Sequence, residues 1–170
     1  GSDAEEAVRL GHSMLQPRVE ARVLQDLQIK PTDRVLEIGA GSGYMAALLA
    51  HRAERVVSLE INPELAEMAR ENLRDAGIQN ADVRQGDGAR DAIPDGPFDV
   101  IVLSGSVAEV PAALLALLKD GGRLGAIVGG EPVMRFTLTR RTGDRFETAS
   151  PWDTIAPRLV NFPEPSGFTF

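Results

Sequence analysis

The chain of 170 residues contains no cysteine and only two histidines. The absence of cysteine excludes disulfide bonds, thiolate zinc sites, iron–sulfur clusters and cysteine nucleophiles. Two histidines are too few for a His-rich metal centre, so we expect no bound metal ion. No hydrophobic run approaches the roughly 20 residues that a transmembrane helix needs, so we also expect no membrane partner.

Positive charge is in the minority. Lys and Arg number 18 against 25 Asp and Glu, which gives a net charge of -7. A protein that binds nucleic acid by counterion release is normally basic, so we expect no nucleic-acid partner. The ordinary content of 43% hydrophobic and 25% charged residues predicts one globular domain over residues 1–170, with an irregular leader at 1–10 and a tail at 161–170.

Strand and helix patterns alternate along the chain. The predicted strands are 34–38, 55–60, 81–85, 98–103, 123–128, 133–139 and 145–149, and the predicted helices are 17–27, 44–50, 63–76 and 110–119. This alternation implies an α/β fold with a doubly wound, mostly parallel sheet of seven strands. The last two strands flank a Thr-Gly-Asp turn and form an antiparallel hairpin.

A glycine-rich loop follows the first predicted strand. Gly39, Gly41 and Gly43 form a G-x-G-x-G pattern, and Tyr44 stands where a dinucleotide-binding fingerprint needs its third glycine. NAD is therefore a less favoured ligand. The glycines allow a ligand to approach the backbone closely, and Glu37 just before them favours a cationic ligand over a pyrophosphate.

Further acidic residues follow the next two predicted strands. Glu60 lies 23 residues after Glu37 (60 − 37), where a carboxylate can accept both ribose hydroxyls, and Ile61 offers an apolar surface to adenine. Asp87 can accept from an exocyclic amine, while the adjacent Gly88 keeps the wall thin for a flat ring. These residues favour a nucleoside site. Local roles stay open, since Glu60 could cap a helix and Asp87 could belong to an ordinary turn.

The run V-L-E-I-G-A-G-S-G-Y at 35–44 resembles the first motif of class I S-adenosylmethionine-dependent methyltransferases. It is most similar to the protein-L-isoaspartate O-methyltransferase family. Further matching segments are Gly11 with Gln16-Pro17, Gly86-Asp87-Gly88, 97–101, 109–111, 118–124 and Ala156-Pro157. The resemblance covers about residues 11–160 and implies a Rossmann-like methyltransferase sheet.

The resemblance also implies an activity and a set of binding residues. Its members methylate the carboxylate of isoaspartyl or D-aspartyl sites in damaged proteins, with S-adenosylmethionine as cofactor and S-adenosylhomocysteine as product, and we expect the same activity here in the cytoplasm. By resemblance, the methionine end is held by Glu37, Gly39, Gly41 and Gly43, the ribose by Glu60, and the adenine by Asp87 and Gly88. A positive sulfonium suits such an acidic rim.

The chain departs from the family pattern at the active-site serine. The family has a Thr-x-Ser sequence before Gln-Pro, whereas this chain has Ser13 at the first of these positions and Leu15 at the third. Leucine cannot donate a hydrogen bond, so either Ser13 or His12 substitutes, or the methyl acceptor differs, or repair activity is lost. Ser104 and Ser106 offer hydroxyls after the fourth strand. A methyltransferase with another acceptor and a non-catalytic S-adenosylmethionine-binding module are therefore alternatives, and the oligomeric state is open.

Overall fold

A computed structural model describes residues 15–165, which share one seven-stranded sheet. In chain order the elements are α1 (Pro17–Leu27), β1 (Arg34–Ile38), α2 (Tyr44–Ala50), β2 (Arg55–Glu60), α3 (Pro63–Asp75), β3 (Ala81–Gln85), β4 (Phe98–Val107), α4 (Ala112–Leu115), β5 (Leu118–Gly130), β6 (Val133–Thr142) and β7 (Arg145–Thr154). None of these helices has the length and apolar character needed to cross a membrane.

The strand order is β3-β2-β1-β4-β5-β6-β7. Neighbouring strands from β3 to β5 pair in parallel, whereas β5 with β6 and β6 with β7 pair antiparallel. The predicted doubly wound fold and its C-terminal hairpin are thus confirmed. The order reverses between β1 and β4, and in such sheets ligands bind at the carboxyl ends of the strands beside this reversal.

The central strands are buried on both faces because successive side chains point to opposite sides of the sheet. On β1, Val35 packs in the cluster that contains the apolar residues of α1 and α2, while Leu36 packs in the cluster that contains Leu114 of α4. Glu37 follows Val35 by two residues, so it lies on the α1 face. This placement puts a carboxyl group inside the sheet's apolar interior.

The prediction of a helix over 110–119 is wrong. Only Ala112–Leu115 is helical, and β5 already begins at Leu118, which pairs with Phe98 of β4. Gly122 lies within this strand, where a Cβ atom would stand 2.8 Å from the carbonyl oxygen of Lys119. The pairing of β5 with β4 therefore overrides the helical pattern of the alanines and leucines.

The fourth strand is longer than predicted, so Ser104 and Ser106 lie within β4 rather than after it. The strand continues because Ser106 pairs with Ile127 of β5 on one side and bridges to Arg158 on the other. The strands β5, β6 and β7 also extend beyond their predicted ends.

A buried ion pair joins the end of α1 to the sheet. Arg123 of β5 donates to Asp33 at 2.9 Å, and both side chains are 7% exposed. The same guanidinium donates to the carbonyl oxygens of Leu27 and Gln28. Because its donors meet these acceptors, Arg123 is satisfied inside the fold, and its loss would leave Asp33 buried without its cation.

We expect Arg123→Ala to lower the free energy of unfolding by about 3 kcal/mol or more, since it leaves an uncompensated buried charge. Arg135→Ala is the matched control, because its ion pair with Asp153 lies at the surface with side chains 61% and 58% exposed, and such pairs contribute less than about 1 kcal/mol. Urea unfolding of both variants measures the difference. Equal losses would contradict a structural role for the buried pair.

Candidate functional site

Two cavities meet at the carboxyl end of β1, and Gly39 lines both of them. Cavity A lies between the ends of β1, β2 and β3 and the segment 159–162 that follows β7. Cavity B lies between the glycine loop, the start of α1 and Ser104 of β4. A ligand that extends past Gly39 would therefore reach from one cavity into the other.

The glycine loop has a backbone that only glycine adopts readily. Gly39 and Gly43 have φ angles of +92° and +90°, which L-residues with a side chain rarely adopt. The amide of Gly39 donates to the carbonyl oxygen of Leu59 at 2.8 Å, so the loop is anchored to β2. The chain thus leaves β1, turns over the two cavities and enters α2 at Tyr44.

Glu60 ties this loop to the end of β2. The carboxylate is 3% exposed, and its two oxygens accept from the amides of Gly41 at 2.9 Å and Asn62 at 3.0 Å. The side chain that caps α3 is that of Asn62, which accepts from the amide of Leu65. Glu60 therefore does more than begin a helix, since it fixes the glycine loop while lining cavity A.

Asp87, Gly88 and Ile61 complete the side of cavity A that β2 and β3 provide. Asp87 accepts from the amide of Ala89 at 2.9 Å, as an ordinary turn residue would. Gly88 approaches β1 so closely that a Cβ atom there would stand 2.7 Å from Cγ2 of Ile38. A larger residue at this position would have to displace the side chain of Ile38, so the wall of the cavity is thin here.

The segment after β7 packs across cavity A. Ser106 of β4 donates its amide to Pro157, and Leu159 donates its amide back to Ser106. Leu159 and Phe162 are each 7% exposed and belong to the core, and Asn161 donates to Asp87 at 2.9 Å. Of the two alternatives for the tail, a packed arm is therefore correct for residues 161 and 162, while 166–170 lie outside the described residues.

This packing leaves cavity A narrow. Cδ2 of Leu159 lies 3.0 Å from the place where a Cβ atom on Gly39 would stand. The remaining free volume is about 30 Å³, which is room for only about two water molecules. A larger ligand can enter only if the side chains of Leu159 and Phe162 move away.

Glu37 lies beneath both cavities and lines neither. It is fully buried and accepts from Ser58 of β2 at 2.7 Å and from Ser104 of β4 at 2.6 Å. Burial raises the pKa of Glu37 to about 7; the two hydroxyls oppose that shift, and the charge of Glu60 adds to it. Its link to cavity B runs through Ser104, so direct contact between Glu37 and a ligand stays a prediction.

Leu15 and Ser104 both line cavity B. Leu15 is 4% exposed and packs in the α1-side core, so this position is an apolar wall. The hydroxyl hydrogen of Ser104 goes to Glu37. Ser13 and His12, which could replace the missing serine, lie outside the described residues.

Glu20 of α1 also lines cavity B and was missed by sequence reasoning. It is 4% exposed, and burial together with the negative charge of Glu37 raises its pKa to about 8. A signal existed, because Glu20 precedes Val23, Leu24 and Leu27 at helical spacing and thus stands on the apolar face of α1. An acid on that face is unusual enough to mark a candidate site.

Within residues 15–165 the structure contains no cluster of three or more His, Asp or Glu side chains placed to hold a metal ion. It brings Glu60, Ile61, Asp87 and Gly88 together around cavity A, and the glycine loop together with Leu15 and Ser104 around cavity B. Their contacts with a ligand stay predictions.

A doubly wound sheet with a glycine loop after β1 and acidic residues after β2 and β3 defines the class of α/β nucleoside-binding folds. The family model of protein-L-isoaspartate(D-aspartate) O-methyltransferase (PCMT) matches residues 2–155. The chain belongs to this family.

Individual relatives agree with this family. The chain is 47% identical over 139 residues to a protein-L-isoaspartate O-methyltransferase of Methanoculleus marisnigri, and 39% identical over 140 residues to one of Koribacter versatilis. The matches cover 81% and 82% of this chain and 63% of each relative. The chain thus spans less than two thirds of the length of these relatives.

Solved structures agree with the fold. A protein-L-isoaspartate O-methyltransferase superposes with a TM-score of 0.77 at 28% identity, covering 85% of this chain and 47% of the other. A Plasmodium falciparum protein, solved in complex with S-adenosyl-L-homocysteine, superposes with a TM-score of 0.74 at 20% identity, covering 88% of this chain and 80% of its own.

We expect the raised pKa of Glu37 to make folding stability depend on pH. An ordinary glutamate in the unfolded chain titrates near 4.5, whereas folded Glu37 titrates near 7. The folded state keeps its proton longer, so its advantage is complete below about pH 4.5 and is lost as the pH rises through about 7. At about 1.4 kcal/mol per pH unit, the difference between 4.5 and about 7 corresponds to a loss of at most about 3.5 kcal/mol.

Glu37→Gln should remove this loss, so wild type should lose stability relative to the variant as the pH rises from about 5 to about 8. Glu71→Gln is the matched control at an exposed site. Urea unfolding at several pH values measures the difference between each variant and wild type. A difference for Glu37→Gln that is constant with pH would contradict the raised pKa.

Proposed function

We propose that this chain binds S-adenosylmethionine and transfers its methyl group to the carboxylate of an isoaspartyl or D-aspartyl residue in a damaged protein. The observation that carries the proposal is the hydrogen bond from Gly41 to Glu60, which joins the family's glycine motif to the acid at the end of β2. Isoaspartyl proteins as partners and a cytoplasmic location belong to the same proposal, and family membership supports them.

The residues around cavity A fit a nucleoside in kind. Glu60 lines cavity A while it accepts from the amides of Gly41 and Asn62, so an acceptor carboxylate stands where the ribose of a nucleoside would lie. Ile61 offers an apolar surface, and the thin wall at Gly88 suits a flat ring. Entry of an adenosine requires the side chains of Leu159 and Phe162 to withdraw, and Asn161 to release Asp87.

When bound, the cofactor would supply an electrophilic methyl group on a positive sulfonium. The acceptor carboxylate is already anionic near neutral pH, so the residues of this chain need to align it and exclude water rather than remove a proton. Ser104 donates its hydrogen to Glu37, so its oxygen presents lone pairs to cavity B. The apolar side chain of Leu15 would help to keep water from the reacting atoms.

A methyltransferase with a different acceptor is the second candidate function, and Leu15 favours it. The family's active-site serine would offer a hydroxyl at this position, whereas Leu15 presents a buried apolar surface to cavity B. An acceptor that needs a hydrogen bond there would lose it.

Two measurements test the proposal. Calorimetric titration with S-adenosylmethionine and S-adenosylhomocysteine should give binding of both, and methyl transfer should occur to a peptide with an isoaspartyl residue but not to the same peptide with aspartate. Absence of binding would contradict the proposal as a whole. Binding without transfer to the isoaspartyl peptide would refute the acceptor and favour the second candidate or a non-catalytic binding module.

We expect Glu60→Gln to weaken S-adenosylhomocysteine binding by about 1.5–3 kcal/mol, the scale of a hydrogen bond to a charged group. Glutamine keeps one oxygen that can accept from Gly41, so the loop retains its anchor. Glu71→Gln is the control, because Glu71 is exposed and lines neither cavity. This variant should bind as wild type does. Calorimetry measures both affinities, and an unchanged affinity of Glu60→Gln would remove Glu60 from the site.

A further inference from the structure

An open groove lies beside the first two turns of α1 and shares no lining residue with cavities A and B. Arg18 and Arg22 of α1 line one side of it, and Val133 of β6 with residues 152–155 at the end of β7 lines the other. Its free volume is about 570 Å³, within the range of about 300–1,000 Å³ that is usual for binding pockets. We call it the arginine groove.

The two arginines stand where their charge does not stabilise the helix. Arg18 and Arg22 are four positions apart, so they lie on the same face of α1, and like charges at this spacing repel each other. Arg18 is also in the first turn, at the positive end of the helix dipole. Both residues are exposed. An anion from outside the chain would relieve this repulsion.

The acidic residues near the groove already have partners. Asp153 lines the groove and pairs with an arginine of β6 at 3.3 Å. Asp26, one turn further along α1, accepts from Nε1 of Trp152 at 2.6 Å. Within residues 15–165 no ion pair joins an acid to either arginine of the groove.

Trp152 orders one of the two guanidinium groups. Cζ of Arg22 lies 4.6 Å from the centre of the Trp152 ring, and that ring stacks on Phe136 at 4.8 Å. A cation–π contact of this kind holds a flexible arginine in place. A guanidinium carries five N–H donors, so Arg22 can still bind a carboxylate, and its loss of side-chain entropy on binding is reduced.

Apolar side chains flank these charges. Val133 and Ile155 line the groove and are 55% and 59% exposed. A peptide that carries both carboxylate and apolar side chains matches this combination. A nucleic acid matches it less well, because a polyanion would meet the net charge of -7 of the chain.

The arginine groove adjoins the place where a methyl acceptor would arrive. Leu15 lines cavity B, and the next residue, Gln16, lines the groove. A helix with its side chains is about 10–12 Å wide, a distance that an extended peptide covers in about three or four residues. A peptide whose accepting residue reaches cavity B can therefore place a side chain three or four positions away in the groove.

We propose that the arginine groove binds an acidic side chain of the peptide substrate, about three or four residues from the residue that is methylated. The inference rests on the proposed function, because it takes the accepting residue to reach cavity B. Arg18 and Arg22 would make charge-assisted hydrogen bonds to the carboxylate. These contacts lie away from the reacting atoms, so they lower KM and leave kcat unchanged.

The only tryptophan of the chain, Trp152, lines the groove, so its fluorescence reports peptide binding there. The probes are two isoaspartyl peptides without aromatic residues. They differ only in carrying glutamate or glutamine at the third and fourth positions on both sides of the isoaspartyl residue. Wild type should bind the glutamate peptide roughly three- to tenfold more tightly, the scale of two exposed ion pairs. Added salt should reduce this preference.

A pair of double variants tests the two arginines. The combined Arg18→Gln and Arg22→Gln variant should bind both peptides equally, while its affinity for S-adenosylhomocysteine stays that of wild type and shows that it is folded. The combined Arg74→Gln and Arg145→Gln variant is the control, since it removes two exposed arginines that lie outside the groove. It should keep the preference for the glutamate peptide.

Methyl transfer to the same two peptides provides the second measurement. In wild type and the control, kcat/KM should be higher for the glutamate peptide by the same factor as the affinity, with the difference in KM. In the groove variant the two peptides should have equal kcat/KM.

The outcomes separate this inference from the function on which it rests. Transfer to neither peptide would overturn both together. Transfer to both peptides with equal kcat/KM in wild type would overturn the groove alone, as would a preference that the groove variant retains. A change in fluorescence per molecule when wild type is diluted without peptide would assign the groove to a second copy of the chain and overturn the peptide as its occupant.

Discussion

The buried carboxyl of Glu37 joins the three central strands of the sheet at the place where both cavities begin. It lies on β1 and accepts from Ser58 of β2 and Ser104 of β4. Its two oxygens therefore hold the strands on either side of the topological reversal in fixed register. The glycine loop starts two residues later at Gly39. Its position therefore depends on how Glu37 holds the end of β1.

The acids around this carboxyl behave as one electrostatic unit. The negative charge of Glu37 raises the pKa of Glu20, and the negative charge of Glu60, at the end of β2, raises the pKa of Glu37. Burial and mutual repulsion both disfavour ionisation, so the pKa values of Glu20 and Glu37 are raised to about 8 and about 7. A cation in cavity B would favour the ionised form of Glu20 and so oppose both effects there. A sulfonium or an ammonium is such a cation, whereas a pyrophosphate would add to the repulsion.

Much of the fold could be predicted because its signals are local. The ends of α1, β1, α2, β2 and β3 follow from β-branched runs, a proline in a first turn and glycine breaks, and they agree with the structure. The lining residues of cavity A that follow β1, β2 and β3 could also be predicted, since the carboxyl ends of parallel strands share one edge, whereas Leu159, Val160 and Phe162 could not. The positions of these strand-end residues depend on strand order alone.

The errors have a different physical origin, which is pairing between distant segments. The run at 110–119 has helical residues, but Leu118 gains more by pairing with Phe98 in the sheet. The position of Leu159 depends on the hydrogen bond from its amide to the carbonyl oxygen of Ser106. No local sequence pattern predicts that contact. The spacing of Glu20 with Val23, Leu24 and Leu27 places it on the apolar face of α1, but only the assembled fold shows that this face lines a cavity at Glu20.

The wall of cavity B limits what a methyl acceptor can find there. Leu15 offers no hydrogen bond, and Ser104 gives its hydrogen to Glu37. Ser42 and Tyr44 are the other hydroxyl residues in the described wall, and both belong to the glycine loop side. Among the described residues of this wall, a donor for an acceptor oxygen is therefore found only along that loop. An acceptor that needs only an apolar, water-free contact can instead approach over Leu15. The direction of approach therefore depends on which hydroxyl groups already donate their hydrogen within the protein, as Ser104 does to Glu37.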